Sequence, residues 1–407
     1  MRYSILTFGC RVNQADSLAL EAELSARGAV PAEPGHADVV FVNTCSVTAC
    51  ADQGARQAIR RVHRHNPWAR IVVTGCYATR SPRDVETLPG VAAVVSNLCK
   101  DTIVGDLFEG LTTAERLGDG EGACGAAIAP GTAGRTAWML RVQTGCEERC
   151  SYCIIPATRG ASRSRALADV LDEFDRLAAA GYKEIALTGV HLGAFGRDLA
   201  PACSLADLLE AIASRAYPLL FRVSSLEPMD LSPRIVDVVL SSPAFAPHFH
   251  LPLQHGSDSV LARMRRPYTL AQYAARVEAI RARAPHAAIG SDVIVGFPGE
   301  TDEEFEATLA YLRGSPLTYL HVFCYSDRPG TGASSLAGRV HGAVVRRRAS
   351  RLRTAGHDLS EAFRASQAGT VRRALTLEDG TLAVTDNYVK VHIPRGHARN
   401  EWVDVRI

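Results

Sequence analysis

The sequence predicts an α/β protein in three parts: an N-terminal Rossmann-like domain with a parallel sheet (1–112), a central partial (β/α)6 barrel (138–365) and a small C-terminal β domain (366–407). Three observations lead there. Short apolar runs alternate with helical patterns through the first part and again from Trp138, as in parallel sheets covered by helices. After 366 only short β-rich runs follow, separated by turn residues. The length, 407 residues with 47% hydrophobic and 22% charged side chains, suffices for two or three cores and excludes disordered, collagenous and coiled-coil classes.

In chain order, YSILTF (3–8), DVVFVNT (38–44) and RIVVTG (70–75) are strands, with helices after Asp16 and from about Ala51. The segment 113–137 is rich in Gly, Ala and Thr without a period and reads as a linker or covering loop. Six more strands follow: WMLRVQ (138–143), KEIALTG (183–189), LFRVSS (220–225), HFHLPL (248–253), AIGSDVIVG (288–296) and YLHVFCYS (319–326). Helical patterns separate them, for example 168–181 and 301–314; in the latter Thr301 and Glu304 fit a capping box. Six βα units in a row suggest a barrel or partial barrel, with two halves of one doubly wound sheet as the alternative. VRRALTLE, TLAVTD and YVKVHI then form a small antiparallel sheet or barrel.

No apolar run approaches the ~18 residues of a membrane span, and MRYSILTFGC lacks the pattern of a secretory signal. A cytoplasmic protein without a membrane partner is expected. Its eleven cysteines are an odd number in a chain too long to need disulfide staples, so metal binding, redox chemistry or simple burial is expected of them. The net charge of +2 says little. The basic runs RQAIRRVHRHNPWAR (56–70), RMRRPY (263–268), VVRRRASRLR (344–353) and VRR (371–373) say more: together they favour a polyanion, with nucleic acid the natural candidate.

GCEERCSYC places Cys146, Cys150 and Cys153 at C-x3-C-x2-C directly after a strand. Three thiolates within eight residues can hold one face of an iron–sulfur cubane and leave one iron open. A zinc knuckle that borrows a distant Cys or His is the alternative, and chance clustering of buried cysteines a second. Cys10, Cys45 and Cys76 each stand just past a predicted strand, in LTFGC, FVNTC and VTGC. Parallel strands end on one rim where ligands bind, so these three converge and make a second open-cornered cluster; three independent half-buried thiols are the alternative. Cys50, Cys99 and Cys324 read as buried hydrophobes, with a spare thiol near Cys45 as the alternative for Cys50, and Cys124 and Cys203 carry no assignment.

The strand ends LTGVHLG (187–193), SSLEP (224–228), LPLQHGS (251–257) and VIVGFPGE (293–300) line the barrel mouth, where barrel active sites are built. Glu227 and Gln254 could fix a cofactor's ribose or amino acid moiety there, or merely cap their loops. His191, His250 and His255 lie near the same rim, with hydrogen bonding favoured over metal ligation.

GCEERCSYC, with Tyr152 before its last cysteine, resembles the radical S-adenosylmethionine (SAM) superfamily. TFGCRVNQADS, VNTCSVT and VTGCYA resemble the amino-terminal domain of the methylthiotransferases, as do VQTGCEERCSYCIIPATRG, SSLEP, LPLQHGSDSVLARMRRPYT and DVIVGFPGET in their own regions. The likeness covers essentially the whole chain. GCRVNQADS and HLPLQHGSDSVLARMRRPYT look most like the branch acting on N6-threonylcarbamoyladenosine (t6A) at position 37 of tRNA; the isopentenyladenosine branch and the branch modifying a ribosomal-protein aspartate are its relatives. GTLAVTDNYVKVHI is similar to the family's TRAM RNA-binding domain.

The resemblance implies a radical SAM methylthiotransferase with two [4Fe–4S] clusters. Cys146, Cys150 and Cys153 would hold the one that chelates SAM and generates the radical, and Cys10, Cys45 and Cys76 the auxiliary one. One-electron reduction would cleave SAM to a 5′-deoxyadenosyl radical that takes hydrogen from C2 of the adenine. Sulfur from the auxiliary cluster, methylated by a separate SAM, would replace it, so each product consumes two SAM. Tyr152, Thr188, Gly189, Ser225, Glu227, Gln254 and Asp292 would border SAM. The implied partners are the tRNA anticodon stem-loop and a one-electron donor of flavodoxin or ferredoxin type, the enzyme itself being a monomer.

Overall fold

The computed structural model describes residues 1–109 and 136–407. Most of the expected linker, together with Cys124, lies outside the described residues. Of those described, 1–109, 145–148 and 153–161 form one compact unit, and 136–144, 149–152 and 162–407 form another.

The first unit is built on β1 (Arg2–Thr7), β2 (Val30–Pro31), β3 (Val39–Thr44), β4 (Arg70–Gly75) and β5 (Val91–Val95), all parallel in the order β2-β1-β3-β4-β5. That order reverses direction between β1 and β3, and open α/β sheets bind ligands at such a point. β3 is buried along its whole length because both faces are covered. Val40 and Val42 pack with Ile59 and Val62 of helix α2 (Ala49–His65), while Val39 and Phe41 pack with Leu20 and Leu24 of α1 (Arg11–Ala26). A short helix, α3 (Cys76–Arg80), follows β4.

Helix α1 begins at Arg11, ahead of the start after Asp16 expected from periodicity. Asn13, Asp16 and Ser17 are buried polar residues in its first turns, and their burial conceals the apolar stripe that marks a helix start. Two cysteines read as buried are instead exposed, Cys50 at the start of α2 and Cys99 in the loop after β5; Cys324 is half-buried. Short apolar neighbours on an exposed turn mimic a core context, which explains the misreading.

The second unit contains six parallel strands: β6 (Trp138–Thr144), β8 (Glu184–Gly189), β9 (Leu220–Val223), β10 (His248–His250), β11 (Ala288–Val295) and β12 (Tyr319–Cys324), with the two-residue β7 (Arg163–Ser164) antiparallel beside β6. β6-β8-β9 and β10-β11-β12 are two ladders. They are joined where the Phe221 N–H donates to Ala244 O (2.7 Å) and the Leu226 N–H to His250 O (2.9 Å). The result is a six-stranded open barrel, as the βα alternation predicts. Thr301 and Glu304 form the expected capping box before the helix Asp302–Gly314.

Four antiparallel strands close the chain in the order β15-β14-β13-β16: β13 (Val371–Leu377), β14 (Leu382–Thr385), β15 (Lys390–His392) and β16 (Trp402–Arg406). The last of these was not read from the sequence. This sheet packs under the amino ends of the barrel strands: the Tyr388 ring lies tilted against His248 and Tyr319, the first residues of β10 and β12, and Arg222 donates to Asp386 O (3.1 Å). The carboxyl ends of the strands, where barrel chemistry is sited, are left to the rim loops.

Candidate functional site

Cys10, Cys45 and Cys76 follow β1, β3 and β4, which are neighbours in the sheet. Cys10 is the exposed N-cap of α1, and Cys76 is the buried first residue of α3. Between them Cys45 is only 4% exposed. The turns approach so closely that a Cβ on Gly9, whose φ is +101°, would lie 2.5 Å from Cys45 Sγ. Gly75 has φ +97°, and a Cβ there would collide with the Thr44 backbone. Both turns therefore demand glycine. Burial pushes the Cys45 thiol from 9.0 up to about 12; the Val47 N–H, 3.4 Å from the sulfur, opposes this, and negative charge on Cys10 and Cys76 adds to it. The three thiols are thus close enough to act on one another. A soft cationic group that draws off their protons would relieve that repulsion.

A buried polar network supports these turns. Asn13 Nδ2 donates to the carbonyls of Phe8 (2.7 Å) and Thr44 (2.8 Å), tying the β1 turn to the end of β3. Asn43 Nδ2 donates to Asn13 O (2.8 Å) and Ser17 Oγ (2.9 Å). The Asp16 carboxylate accepts from Lys100 Nζ and Arg159 Nη2, each at 2.9 Å. Lys100 also donates to Asn43 Oδ1 (3.0 Å), and Arg159 to Asn13 Oδ1 (2.5 Å). Asn97 Nδ2 lies 3.6 Å from Cys76 Sγ and donates to Thr158 O (3.0 Å). Sequence reasoning missed Asn13, Asp16, Lys100 and Arg159. The only signal was three polar residues, Asn13, Asp16 and Ser17, spaced so as to share a face of a helix's first turns.

The GCEERCSYC loop contributes to both units: Cys146 and Cys153 belong to the first, Cys150 to the second, and all three are half-buried. The Cys146 N–H donates to Gly160 O (3.0 Å). Ser151 is held by Met264 O (3.0 Å, from its N–H) and Arg263 O (2.8 Å, from its hydroxyl). Tyr152 packs on the apolar cluster of Val260, Met264, Ile294 and Phe297. Arg266 is the residue that organises this side. Its Nη1 donates to Cys150 Sγ at 3.0 Å, its Nη2 pairs with Glu227, and its Nε donates to the Tyr268 hydroxyl (3.1 Å). Burial works against the guanidinium charge, but Glu227, Tyr152, Tyr268 and Cys150 together outweigh it and raise the Arg266 pKa.

Arg266 lies in a run read as part of a polyanion surface, and there the structure corrects the sequence. Arg266 turns inward and Arg263 pairs with Glu304. Likewise Arg348 pairs with Glu300 and Asp302, Arg351 with Glu306, and Arg372 with Asp386, while Arg373 lies over the Trp402 ring at 3.9 Å. Distant acids and an aromatic ring engage these cations, and no local pattern reveals that. Arg60, Arg61 and Arg64 on α2, with Arg70, stay exposed, as do Arg265, Arg346, Arg347 and Arg353 of the later runs.

The other rim residues are placed as follows. Thr188 is buried and its hydroxyl donates to Leu140 O (3.1 Å). A Cβ on Gly189 would stand 3.0 Å from Gln143 Oε1, the atom that accepts the His191 N–H (2.8 Å). Ser225 is exposed, and Gln254 is held at φ +68° beside β11. Asp292 accepts from His250 Nε2 (2.9 Å) and His321 Nδ1 (3.1 Å). Burial works to raise its carboxyl, but the two imidazoles together hold it well below the usual carboxylate range. Each rim histidine meets a carboxylate: His191 with Asp230 (2.6 Å), His250 with Asp292 and His255 with Glu300 (3.5 Å). No helix among the described residues is long and apolar enough to cross a membrane.

A six-stranded parallel barrel with C-x3-C-x2-C leaving its first strand defines a radical SAM enzyme. Residues 140–312 match the radical SAM superfamily, and residues 2–96 match uncharacterized protein family UPF0004. The fold is like that of the radical SAM methyltransferase TsrM from Kitasatospora setae, with a TM-score of 0.57 at 17% identity over 82% of this chain and 76% of that one. A Bacillus subtilis protein named threonylcarbamoyladenosine tRNA methylthiotransferase MtaB is 35% identical over 95% of this chain and 88% of its own length. An Aquifex aeolicus protein of the same name is 35% identical over 96% of each. The chain belongs to the radical SAM methylthiotransferase family, in its MtaB branch.

Proposed function

We propose that the protein converts t6A at position 37 of tRNA to its 2-methylthio derivative. The observation that carries this reading is the pair of cysteine triads, one contiguous at 146–153 and one assembled from three strand ends, in a chain similar along nearly its full length to the MtaB proteins. Cys146, Cys150 and Cys153 would hold a [4Fe–4S] cluster that binds SAM, and Cys10, Cys45 and Cys76 a second, auxiliary one. Between them, when bound, these groups supply reductive SAM cleavage and the sulfur that is inserted.

The chain's own residues supply position and charge. Arg266 fixes Cys150 and presents Glu227 at the mouth, where the carboxylate would take SAM hydroxyl or amino groups. Tyr152, backed by Met264 and Phe297, would offer a ring edge to the adenine. The Thr188–Gly189 backbone, Ser225, Gln254 and Asp292 would complete the pocket, with His250 and His321 keeping Asp292 ionised. An anticodon-loop base can leave its stack at little cost in a single-stranded loop. The reading includes the TRAM-like role of the C-terminal sheet, a flavodoxin- or ferredoxin-type electron donor, a monomeric enzyme, two SAM consumed per product and action on the cytoplasmic tRNA pool.

Nucleoside mass spectrometry of tRNA from a deletion strain tests the substrate. Loss of 2-methylthio-t6A is expected; its persistence, with loss of the isopentenyl counterpart instead, would reject the assignment. Anaerobic reconstitution tests the cofactors: about eight irons per chain and dithionite-dependent 5′-deoxyadenosine are expected. Stoichiometric zinc without SAM cleavage would mark a binding protein.

A further inference from the structure

Helix α2 has one buried side, where Ala55, Ile59 and Val62 join Val40, Val42, Ile71 and Val73 of β3 and β4. Its other side exposes Gln53, Gln57, Arg60, Arg61 and Arg64, and the exposed stripe continues past the helix end to Trp68 and Arg70. No acid occurs in the sequence from Gln53 to Arg83. None of these four arginine side chains meets an acid among the described residues. Trp68 is 93% exposed, more than any other large apolar side chain described.

A basic helix end has an ordinary explanation, because the helix dipole favours cations in the last turn. That covers His63, Arg64 and His65. It does not cover Arg60 and Arg61, which precede that turn. With Arg64 they stand three and four residues apart, a spacing at which like charges weaken a helix. Nor does the dipole explain an indole left in water beside them. A polyvalent anion with planar rings answers both features: phosphates take guanidinium groups, and a base offers the indole a face to stack on. Position separates RNA from an acidic electron carrier. Arg70 and Cys76 mark opposite ends of β4, so this face lies about 20 Å from the cysteine turns at ~3.3 Å per strand residue. A carrier docked there would be held away from the thiols, whereas an RNA with one base at the thiols extends over such a distance.

We propose that the exposed face of α2 is a tRNA contact remote from the modified base: Arg60, Arg61, Arg64 and Arg70 hold backbone phosphates, and Trp68 stacks on an unpaired base. The inference rests on the t6A reading above. Phosphates carry no sequence, so the arginines add affinity and orientation rather than a choice among tRNAs. The target adenosine does not touch this face. Its contribution is therefore the same whether position 37 carries t6A or unmodified adenosine.

Filter binding of a t6A-containing tRNA to the anaerobically reconstituted enzyme, across a salt series, tests this. The parent is compared with the triple variant Arg60→Gln/Arg61→Gln/Arg64→Gln and with Trp68→Ala. A control triple, Arg234→Gln/Arg283→Gln/Arg351→Gln, removes the same charge from arginines already paired with acids. The α2 triple should raise Kd about tenfold near physiological salt. It should also flatten the slope of log Kd against log salt by about two to three, since each phosphate contact contributes about 0.7–0.9. Trp68→Ala should weaken binding about fivefold or more with the slope unchanged. In the parent, tRNA should shield from acrylamide a tryptophan signal that Trp68→Phe lacks; Trp138 is buried and Trp402 lies against Arg373. Iron content and thermal midpoint check that each variant folds; should the α2 triple fail, Arg61→Gln replaces it with an expected slope change of about one. Parental Kd and slope in the α2 triple, or an equal change in the control triple, overturns the proposal. So does an α2 triple that binds tRNA normally but has lost affinity for a flavodoxin-type donor, which gives the face to an electron carrier. If the parent itself neither methylthiolates t6A nor binds tRNA more tightly than nonspecifically, the functional reading fails and the inference falls with it.

Discussion

Arg266 reaches the sulfur of Cys150 at 3.0 Å with one arm of its guanidinium and pairs with Glu227 through the other. The two partners lie 116 and 39 residues away in sequence, on different rim loops. A planar fork with several fixed donors can serve a thiolate and a carboxylate at once, which a lysine cannot. Arg266 therefore couples the cysteine loop to the SSLEP loop.

Arg266→Met should lower stability by about 3–5 kcal/mol, the range for breaking a buried ion pair from one side. The lower end is expected because Glu227 is 23% exposed and can recover some hydration. Urea titration measures this. Arg266→Lys should recover more of the stability than of the 5′-deoxyadenosine yield, since it restores charge without the three-way geometry.

Cys150→Ala and Cys45→Ala should separate the two triads. The first should abolish SAM cleavage. The second should leave uncoupled 5′-deoxyadenosine formation in place but stop methylthiolation, with iron falling from about eight to about four per chain. Full methylthiolation by Cys45→Ala would remove the auxiliary cluster from the reaction.

The apo protein should show Cys45 as a slowly alkylated thiol. Thiolate is the alkylating form, and burial with the charge of Cys10 and Cys76 pushes this thiol up to about 12. Iodoacetamide labelling read by peptide mass spectrometry should rise about tenfold per pH unit through the alkaline range at Cys45. The same shift has a stability consequence. Because the folded state favours the neutral thiol, its contribution is fully present below 9.0 and is lost as pH rises from there to about 12. Thermal midpoints of the apo protein should fall over that window, and less so in Cys45→Ala.

Gly75→Ala should unfold the auxiliary site selectively. Left-handed backbone at a non-glycine residue costs about 1–3 kcal/mol, and here the added methyl also meets the Thr44 backbone. Iron on the N-terminal thiols should be lost while SAM cleavage persists. Thr301→Ala provides the control: it removes an N-cap for about 1 kcal/mol and should leave the iron content unchanged.

Much of the architecture was legible because it follows from local patterns. Strands ending in LTFGC, FVNTC and VTGC put three thiols on one rim, and the C-x3-C-x2-C run followed the first barrel strand. The start of α1 was misplaced because Asn13, Asp16 and Ser17 point inward. The polar face looked like solvent exposure until a buried network gave it partners. β16 was missed because its five residues, with a charge in their middle, make a weak alternation that gains order only from pairing with β13. In RMRRPY and VVRRRASRLR the sequence could not tell Arg263, Arg266, Arg348 and Arg351, which meet acids, from Arg265, Arg346, Arg347 and Arg353, which stay exposed.

By itself the sequence determined the order of most strands and helices and picked out the two cysteine triads, because periodicity and side-chain chemistry belong to neighbouring residues. Only the tertiary structure decided which charges meet. Asp16 lies 84 residues from Lys100 and 143 from Arg159, and Arg266 could as well have faced solvent. Such pairings depend on where the chain crosses itself and on how far water is excluded there, and neither is written in any local stretch of residues.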